Sequence, residues 1–541
     1  MIKRLIRDLN QWSLLSLTVG SLVLIPIASI GLSLLGGVGE MWSHVAEHLL
    51  PDYIFNSVIL LLGTGLLCLF IGTASAWAVC NYNFRFRALF EILLFLPLAL
   101  PSYITAYAYV GVFDNSGSLQ QLFAGLGLSF PKIDFMNPLG LIWVLSISLF
   151  PYVYISARSV FLRQSSAIRE TAYLLGASRK KYFFKVAYPL AKPAIFGGLF
   201  LVLMEVLNDY GAAKYYGVNT FTTGIFRTWT ALEDLKTATY LAAILVGLIL
   251  ILLFLEKQQR SGKSFAPNDS LSNPKRLKVS GAKKWLIITI VSLPVFFGVI
   301  LPVSQLLYWL SLTFSDVADT KMIWILVQSV GVALLTALGA LIFALALIYF
   351  TRWNHLRFVH QFSKIVPIGY IIPGAIIGIG MMSMSQTLID FVYQSSGLKI
   401  GWLLYGSSFF LIYAYIVRFF AVAYNPLEAN SIRIGKRLSE ASFLLGETPI
   451  KTLIKIELPL LKTAMLSAFT LVFIDTLKEL PLTLLLKPYQ LQTLAVKTYE
   501  YADDERVAEA ALPALLLITI VGLFMIIVNR IQVRQENHQE I

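Results

Sequence analysis

Residues 170–190 read ETAYLLGASRKKYFFKVAYPL, and residues 440–460 read EASFLLGETPIKTLIKIELPL. Both stretches keep one glutamate, one glycine and one proline at the same spacing, and each pair lies 270 positions apart. The paired residues are Glu170 and Glu440, Gly176 and Gly446, and Pro189 and Pro459. Because this offset is close to half of the 541 residues, it predicts a chain of two homologous halves.

The two halves also match beyond this repeat. Residues 201–211, LVLMEVLNDYG, align at the same offset with residues 471–481, LVFIDTLKELP. Acidic residues coincide twice in this alignment, as Glu205 with Asp475 and as Asp209 with Glu479. A match this extended indicates a duplicated domain and not a chance motif.

The composition is that of a membrane protein. Hydrophobic residues make up 57% of the chain, charged residues only 13%, and the mean hydropathy is +0.73. Apolar stretches of about 17 to 25 residues are long enough to span a bilayer as helices. We predict an all-α membrane protein with twelve transmembrane helices in two six-helix halves. The predicted spans begin near Leu14, Phe55, Phe90, Leu139, Ala194 and Thr237, and near Trp285, Ile323, Ile365, Trp402, Ala464 and Ala508.

A polar segment separates the two predicted domains. Residues 257–284 are rich in Ser, Pro, Asn and Lys, as expected of a flexible linker between domain 1–256 and domain 285–541. The linker contains the letters SGKS, but a phosphate-binding loop would need glycine where the chain has Lys257. We therefore predict no nucleotide site in this chain.

The distribution of positive charge predicts the orientation. Most of the 43 Lys and Arg residues lie on the side of the membrane that holds both termini and the repeated segments, and cytoplasmic loops retain positive charge. Both termini are therefore expected in the cytoplasm, and the net charge of +13 requires no nucleic acid partner. The apolar run at residues 14–35 is longer than the core of a typical signal peptide, so we interpret it as a retained first helix.

The repeated segments predict a helix, a bend and a second helix on the cytoplasmic face. Glycine allows a partner surface to approach closely, and the proline is expected to end the second short helix. A basic amphipathic loop lying on anionic lipid is the alternative. Lipid attraction requires charge but no fixed spacing of Glu, Gly and Pro, so the repeat favours a protein partner.

These segments resemble the EAA loop of permease subunits in binding-protein-dependent ABC importers. The matching positions are Glu170, Ala172, Gly176, Phe183 and Pro189, and then Glu440, Ala441, Gly446, Ile456 and Pro459, with Thr171, Ser442 and Leu453 as departures. The resemblance implies the type I permease fold, in which each loop forms a coupling helix that docks on an ATPase.

The same resemblance implies the partners and the location of the protein. Two copies of a separate ATPase subunit would bind ATP, an extracytoplasmic binding protein would deliver the substrate, and the chain would lie in the bacterial cytoplasmic membrane. It implies a permease subunit that is not itself an enzyme and holds no cofactor of its own.

Residues 204–229, MEVLNDYGAAKYYGVNTFTTGIFRTW, resemble the corresponding segment of fused permeases for ferric iron. The expected substrate is therefore ferric iron. Fused thiamine permeases share this layout, so thiamine or another small solute is the alternative.

Four acidic residues are candidates for the substrate pathway. Glu205 and Asp209 are four residues apart and would share one helix face, and Asp475 and Glu479 repeat that spacing. A charged group at the bilayer centre costs about 2.5 to 3.5 kcal/mol, so these groups need a role or a partner. One hypothesis is that they line the pathway, because Fe(III) prefers oxygen ligands. In the other, Asp475 pairs with Lys478 and the rest face water at the outer mouth.

The remaining polar motifs are less specific. His44 and His48 have a metal-compatible spacing but no further ligands nearby, which is more typical of an amphipathic turn, and no resident metal is predicted. Asp503, Asp504 and Glu505 either meet a docking binding protein or are ordinary solvated charges. A secondary transporter with two six-helix halves or a membrane scaffold would explain the helices but not the repeated Glu, Gly and Pro.

Overall fold

The fold is described by a computed structural model. It covers residues 11–114, 117–128, 131, 133–164, 166–260, 276–352, 354, 356–401, 404, 407–435 and 437–538. Residues 261–275 of the predicted linker lie outside the described residues. The proposed domain boundaries at 256 and 285 stay predictions.

The first half of the described chain is almost entirely helical. Its helices are α1 (Gln11–Ser33), α2 (Trp42–His44), α3 (Leu50–Asn81), α4 (Arg87–Leu93), α5 (Ser102–Phe113), α6 (Ser118–Gly125), α7 (Pro138–Arg163), α8 (Ser166–Leu174), α9 (Arg179–Tyr182), α10 (Tyr188–Asn208), α11 (Gly211–Tyr215), α12 (Phe221–Thr230) and α13 (Leu235–Arg260). The 3₁₀ turns Leu34–Gly36 and Leu96–Ala99 connect some of them.

The second half repeats this order. Its helices are α14 (Gly281–Val295), α15 (Leu301–Val317), α16 (Thr320–Arg352), α17 (Arg357–Ile365), α18 (Gly374–Ser396), α19 (Ser408–Ile434), α20 (Arg437–Leu444), α21 (Pro449–Thr452), α22 (Leu458–Leu477), α23 (Pro481–Leu486), α24 (Leu494–Asp503) and α25 (Ala511–His538), with a 3₁₀ turn at Val366–Ile371. A two-residue parallel pair joins β1 (Tyr82–Asn83) to β2 (Leu277–Lys278).

The helices confirm an all-α membrane protein. Ten helices of the described residues are long and apolar enough to cross a membrane. A pair bent by 97°, Arg87–Ala99 with Ser102–Gly125, makes an eleventh candidate. The last predicted segment coincides with the shorter apolar helix Ala511–Ile527. Ten or eleven spans are thus supported by length and composition, and the twelfth stays a prediction.

Each half has the same three-helix core. In the first half α7 packs against both α3 and α10, and in the second half α19 packs against both α16 and α22. Small residues permit these close approaches. A Cβ on Gly72 of α3 would come within 2.9 Å of the Phe150 carbonyl oxygen of α7. Close backbone contact of this kind is how membrane helices associate without a hydrophobic driving force.

The two halves are interlocked by their first helices. Helix α1 packs against α16, α17 and α18 of the second half, while α14 packs against α3 of the first half. Hydrogen bonds between the halves hold this packing in place. Ser29 donates to the Gly380 carbonyl at 2.7 Å, and Tyr109 donates to the Phe297 carbonyl at 2.9 Å. The halves therefore cannot separate without exposing α1 and α14.

In the described residues, four π-helical turns each precede a proline by two residues. A proline lacks the amide that would bond the carbonyl four residues earlier, and its ring crowds that carbonyl. The wider π turn accommodates the ring within a continuous helix. The turns are Val45–Leu49, Phe183–Ala187, Phe296–Ile300 and Leu453–Glu457, and the prolines are Pro51, Pro189, Pro302 and Pro459.

This arrangement corrects one prediction. Pro189 and Pro459 do not end the second short helix of each repeat. They lie in the first turn of α10 and α22, where proline is tolerated, and the helices run unbroken over Arg179–Asn208 and Pro449–Leu477. The second short helix of each repeated segment is therefore continuous with a membrane helix.

Candidate functional site

The first repeated segment, which we name loop A (residues 166–187), turns sharply at Gly176. Gly176 has a φ of +79°, a left-handed conformation that glycine adopts without steric cost. Its amide donates to the Tyr173 carbonyl at 3.0 Å, and the Ala177 amide donates to the Ala172 carbonyl at 2.9 Å. These two hydrogen bonds form a Schellman motif, which ends helix α8.

The second segment, loop B (residues 437–457), has the same geometry. Gly446 has a φ of +84°, its amide donates to Phe443 at 2.9 Å, and the Glu447 amide donates to Ser442 at 3.2 Å. No atom beyond its own neighbours lies within 4 Å of a Cβ placed on Gly176 or Gly446. The local reason for each glycine is therefore its positive φ, and close approach of a partner stays a prediction.

Each loop presents a pair of leucines at its tip. These four side chains are between 80% and 89% exposed, which is unusual for large apolar groups outside a membrane-facing or partner-facing surface. They are Leu174 and Leu175 in loop A, and Leu444 and Leu445 in loop B. We name them the leucine tips.

The predicted contact residues divide into an exposed and a buried set. The exposed ones are Glu170, Gly176, Pro189, Glu440, Ala441, Gly446 and Pro459. Ala172 is buried and supports loop A from inside. Its equivalent in loop B is Ser442, also buried, whose hydroxyl lies 2.9 Å from that of Thr452.

The loops are anchored to the membrane helices by different contacts. Loop A packs through aromatic rings, with the Phe183 ring centroid 4.7 Å from that of Trp77 on α3. Loop B is anchored by charge, since Glu457 pairs with Arg352 of α16 at 3.5 Å and accepts a 2.6 Å hydrogen bond from Ser439. At its exposed end a hydrogen bond from Lys455 holds the pKa of the Glu447 carboxyl below its usual range.

Replacing Gly176 by alanine should loosen loop A. A side chain in the left-handed region costs about 1 to 2 kcal/mol, so we expect faster amide hydrogen exchange across residues 170–178 in Gly176→Ala. The control is Gly247→Ala in α13, where no positive φ occurs and the added Cβ meets open space. Equal exchange in the two variants would contradict the role given to the turn.

A second shared feature is a break in the helix that follows each loop. Helix α10 ends at Asn208 and α11 begins at Gly211, while α22 ends at Leu477 and α23 begins at Pro481. The expectation that Asp209 shares a helix face with Glu205, and Glu479 with Asp475, is therefore wrong. The turn-forming residues Asn, Asp and Gly end the helix in the first half, and Pro481 follows its end in the second half. Helix α10 therefore stops before it reaches Asp209, and α22 stops before it reaches Glu479.

All four predicted acidic residues nevertheless line one cavity between the halves. Its volume is about 170 Å³. Besides Glu205, Asp209, Asp475 and Glu479, its walls include Pro101 and Pro373, the residues that precede α5 and α18. The two helix breaks and the two proline turns thus meet at one place, as in transporters that build their sites from discontinuous helices.

Asp209 is held by uncharged groups. Ser102 donates to one carboxylate oxygen, and the Ala213 amide donates to the other at 3.0 Å. Asp209 therefore satisfies one amide in the first turn of the short helix α11 and also lines the cavity. Next to it, the Asn208 side chain accepts a 3.0 Å hydrogen bond from the Gly374 amide of the second half.

Glu479 is held by an arginine that the sequence analysis did not single out. Arg418 of α19 contacts the Glu479 carboxylate at 3.2 Å, and both side chains are buried. The Leu482 amide also donates to Glu479 at 3.2 Å. The signal was available, because Arg418 is the one charged residue within the apolar run 408–424 and an ionisable residue inside a span calls for a function or a partner.

The remaining two carboxylates differ from each other. Asp475 pairs with Lys478 at 3.1 Å, as the structural alternative expected. Among the described residues, Glu205 has no ion pair or hydrogen bond to its carboxylate. The pairing of Asp475 with Lys478 is thus confirmed, Glu479 is buried against Arg418 and does not face water, and a role of the four carboxylates in the pathway stays a prediction.

Next to the cavity, the two halves contact each other through aromatic and charged side chains. The hydroxyls of Tyr210 and Tyr499 lie 3.4 Å apart, and Lys214 pairs with Asp503 at 3.2 Å. Asp503 therefore takes part in contact between the halves, while Asp504 and Glu505 remain exposed.

The rings of His44 and His48 stack at 5.0 Å, and the described residues contain no group of three or more potential ligands that could hold a metal ion.

Two interlocked halves, each with an exposed Schellman-capped loop and a broken helix at a shared cavity, define a polytopic membrane permease. Residues 68–256 match the family described as the binding-protein-dependent transport system inner membrane component. Residues 68–256 therefore form a permease domain of this family, and the length of 541 residues fits a fused, two-domain permease subunit of an ABC importer.

Curated relatives agree on this class and differ in substrate. An Fe(3+)-transport system permease protein of Haemophilus influenzae, FbpB 2, is 24% identical over 488 residues, which cover 88% of each chain. A probable sulfate transport system permease protein of Chlorokybus atmophyticus is 25% identical over 213 residues, 39% of this chain and 73% of the relative. The CysT sulfate permease protein of Salmonella typhimurium is 27% identical over 188 residues, 34% of this chain and 66% of the relative.

Proposed function

We propose that this permease moves ferric iron from an extracytoplasmic binding protein into the cytoplasm. The observation that most supports this proposal is that four carboxylates line the cavity between the halves. Fe(III) is a hard cation that prefers oxygen ligands, and the Fe(3+) relative matches both halves of the chain. Weak, shared contacts suit a pathway that must release its cargo.

Two copies of a separate ATPase supply the energy in this proposal, one at loop A and one at loop B. ATP-driven closure brings the two loops together. Because each loop continues without interruption into α10 or α22, the movement reaches the cavity at the far ends of these helices. The halves then alternate between outward and inward access, with both termini on the cytoplasmic side.

Sulfate is the second candidate, because Arg418 and Lys478 also line the cavity. Anions favour such side chains. The lining nevertheless contains four acidic and two basic side chains, which disfavours a free divalent anion. Measuring uptake of radiolabelled iron and radiolabelled sulfate by the same proteoliposomes separates the two functions.

Neutralising Glu205 and Asp209 together should reduce iron uptake. In Glu205→Gln/Asp209→Asn the amides keep the shape, the Asn oxygen can still accept from the Ala213 amide and the Asn NH2 can donate to the Ser102 hydroxyl, so the fold is retained. We expect the uptake rate to fall at least about tenfold, equivalent to about 1.4 kcal/mol, with basal ATP hydrolysis unchanged. The assay uses the permease reconstituted with its ATPase and binding protein.

The control for this experiment is Glu233→Gln, which removes an exposed carboxylate outside the cavity. Iron uptake in the control should match that of the wild type. If the cavity variant also transports iron at the wild-type rate, the carboxylates do not form the pathway.

A further inference from the structure

Three arginines and one glutamate lie together near the end of the linker between the halves. Arg87 of α4 contacts the Glu91 carboxylate at 2.8 Å, and Arg158 of α7 donates to it from Nε at 2.9 Å. The third arginine is Arg276, whose side chain forms neither an ion pair nor a hydrogen bond with another described residue. Three positive charges and one negative charge leave a surplus of two. We name these four residues the arginine cluster.

The short β pair holds Arg276 beside the other arginines. Strand β2 begins at Leu277, directly after Arg276, and pairs with β1, which lies between α3 and α4. Burial and the positive charge of Arg87 hold the pKa of the Arg276 guanidinium below its usual range. Glu91 already pairs with two arginines, so it offsets this repulsion only in part. An anion bound at the arginine cluster would offset the rest.

The arginine cluster lies on the same side of the membrane as loop A. Arg158 is in the last two turns of α7, which ends at Arg163, and loop A begins at residue 166. In the predicted orientation this side is the cytoplasmic face, where the membrane presents anionic lipid headgroups.

Exposed apolar side chains flank the arginine cluster on two neighbouring helices. Leu89 and Ile92 of α4, and Trp285 and Leu286 of α14, are between 42% and 68% exposed, and α14 packs against α4. Apolar groups at this level contact acyl chains, and tryptophan is enriched at the membrane interface. A soluble anion would contact only the arginines, whereas a phospholipid would contact both kinds of side chain.

The duplication does not account for the arginine cluster. Arg357 is the counterpart of Arg87 in the second half, 270 positions later. The counterparts of Glu91 and Arg158 are Gln361 and Glu428, so the charges are not repeated. The cluster is therefore particular to the first half and to the linker end that joins it.

We propose that the arginine cluster binds the phosphate headgroup of one anionic phospholipid of the cytoplasmic leaflet, with its acyl chains against the exposed side chains of α4 and α14. Arginine binds phosphate through paired, charge-assisted hydrogen bonds, and basic pockets between membrane helices on the cytoplasmic side bind lipid headgroups. The lipid holds the end of the linker, at Arg276, against α7 of the first half. This site is independent of which substrate the permease transports.

Native mass spectrometry of the delipidated full-length permease tests the site, with phosphatidylglycerol and phosphatidylcholine titrated in separate arms. In the wild type we expect one phosphatidylglycerol to bind more tightly than any phosphatidylcholine. Arg276→Gln should weaken that binding at least about fivefold, because one contact between arginine and phosphate is lost. The fold should be unchanged, since the Arg276 side chain has no partner among the described residues. Arg276→Lys keeps the charge and should bind more tightly than Arg276→Gln.

Arg357→Gln is the matched control, because it removes the same charge from α17, the equivalent helix of the second half. Its affinity for phosphatidylglycerol should equal that of the wild type. Equal weakening in Arg357→Gln would show a general attraction to surface charge and would overturn the site. Unchanged affinity in Arg276→Gln, or equal affinity of Arg276→Lys and Arg276→Gln, would also overturn it.

Two further measurements distinguish a lipid from other anionic partners. Inorganic phosphate added at millimolar concentration should not displace the phosphatidylglycerol, and complete displacement would mean that the arginine cluster binds a free anion. Copurification of the ATPase should be the same with Arg276→Gln as with the wild type. If Arg276→Gln loses the ATPase and keeps the lipid, the arginine cluster binds a protein and the lipid proposal fails.

Discussion

Replacing the four residues of the leucine tips by serine should abolish ATP-driven uptake while leaving the permease folded. The four side chains are exposed by 80% or more, so their removal costs the isolated permease little. Each leucine that becomes buried against a partner contributes about 1.5 to 3 kcal/mol. Losing four such contacts should release the ATPase.

The measurements are copurification of the ATPase with the permease and ATP-driven uptake in proteoliposomes. The variant is Leu174→Ser/Leu175→Ser/Leu444→Ser/Leu445→Ser. Its control is Tyr489→Ser, which removes a side chain that is 99% exposed and lies between α23 and α24, away from loops A and B. Retention of the ATPase by the four-fold variant would show that the motor does not bind at these loops.

Replacing the two tip leucines of only one loop by serine tests whether the two loops are equivalent. Loop A is anchored by aromatic packing and loop B by the Arg352–Glu457 pair, but their tips have the same geometry. If two ATPase copies bind equivalently, the serine pair in either loop should weaken ATPase retention to a similar degree.

The sequence predicted the loops well because their determinants are local. A Schellman turn requires glycine at one position, and the duplication displayed that position twice, at Gly176 and Gly446. The helical class and the approximate positions of the spans followed from hydropathy alone, because a bilayer requires long apolar helices.

Other features depend on tertiary contacts and left no periodic signal. The packing of α1 on the second half is fixed by contacts such as Ser29 with Gly380, 351 residues apart. The π turns were missed because proline ordinarily indicates the end of a helix. Continuity through Pro189 and Pro459 depends on a backbone adjustment that residue types alone do not reveal.

The cavity was predicted only in part. The four carboxylates could be predicted because they repeat at an offset of 270 residues. Arg418 does not repeat, since the equivalent position of the first half is Ser148. Positions that carry different residue types in the two halves give no such repeat and are not predicted by it. In this protein the basic side chains of the cavity, Arg418 and Lys478, both belong to the second half.

Removing the Arg418 side chain should strongly destabilise the permease. Arg418→Met leaves the buried Glu479 carboxylate without its 3.2 Å partner, and an uncompensated buried charge costs about 3 to 5 kcal/mol. Replacing both partners, as in Arg418→Met/Glu479→Leu, removes both charges and should restore most of the stability. Transport should be lost in the double variant, because the cavity loses the Glu479 carboxylate together with the arginine.

Thermal unfolding in detergent, followed with a thiol-reactive fluorophore, measures this effect. Cys68 and Cys80 are both buried and free, so they react only as the helices open. The apparent midpoint should fall clearly in Arg418→Met and return towards the wild-type value in the double variant. Arg506→Met, which breaks a solvent-exposed pair with Glu509, is the control and should not shift it. A double variant no more stable than Arg418→Met would show that Arg418 stabilises the fold by packing and not by neutralising Glu479.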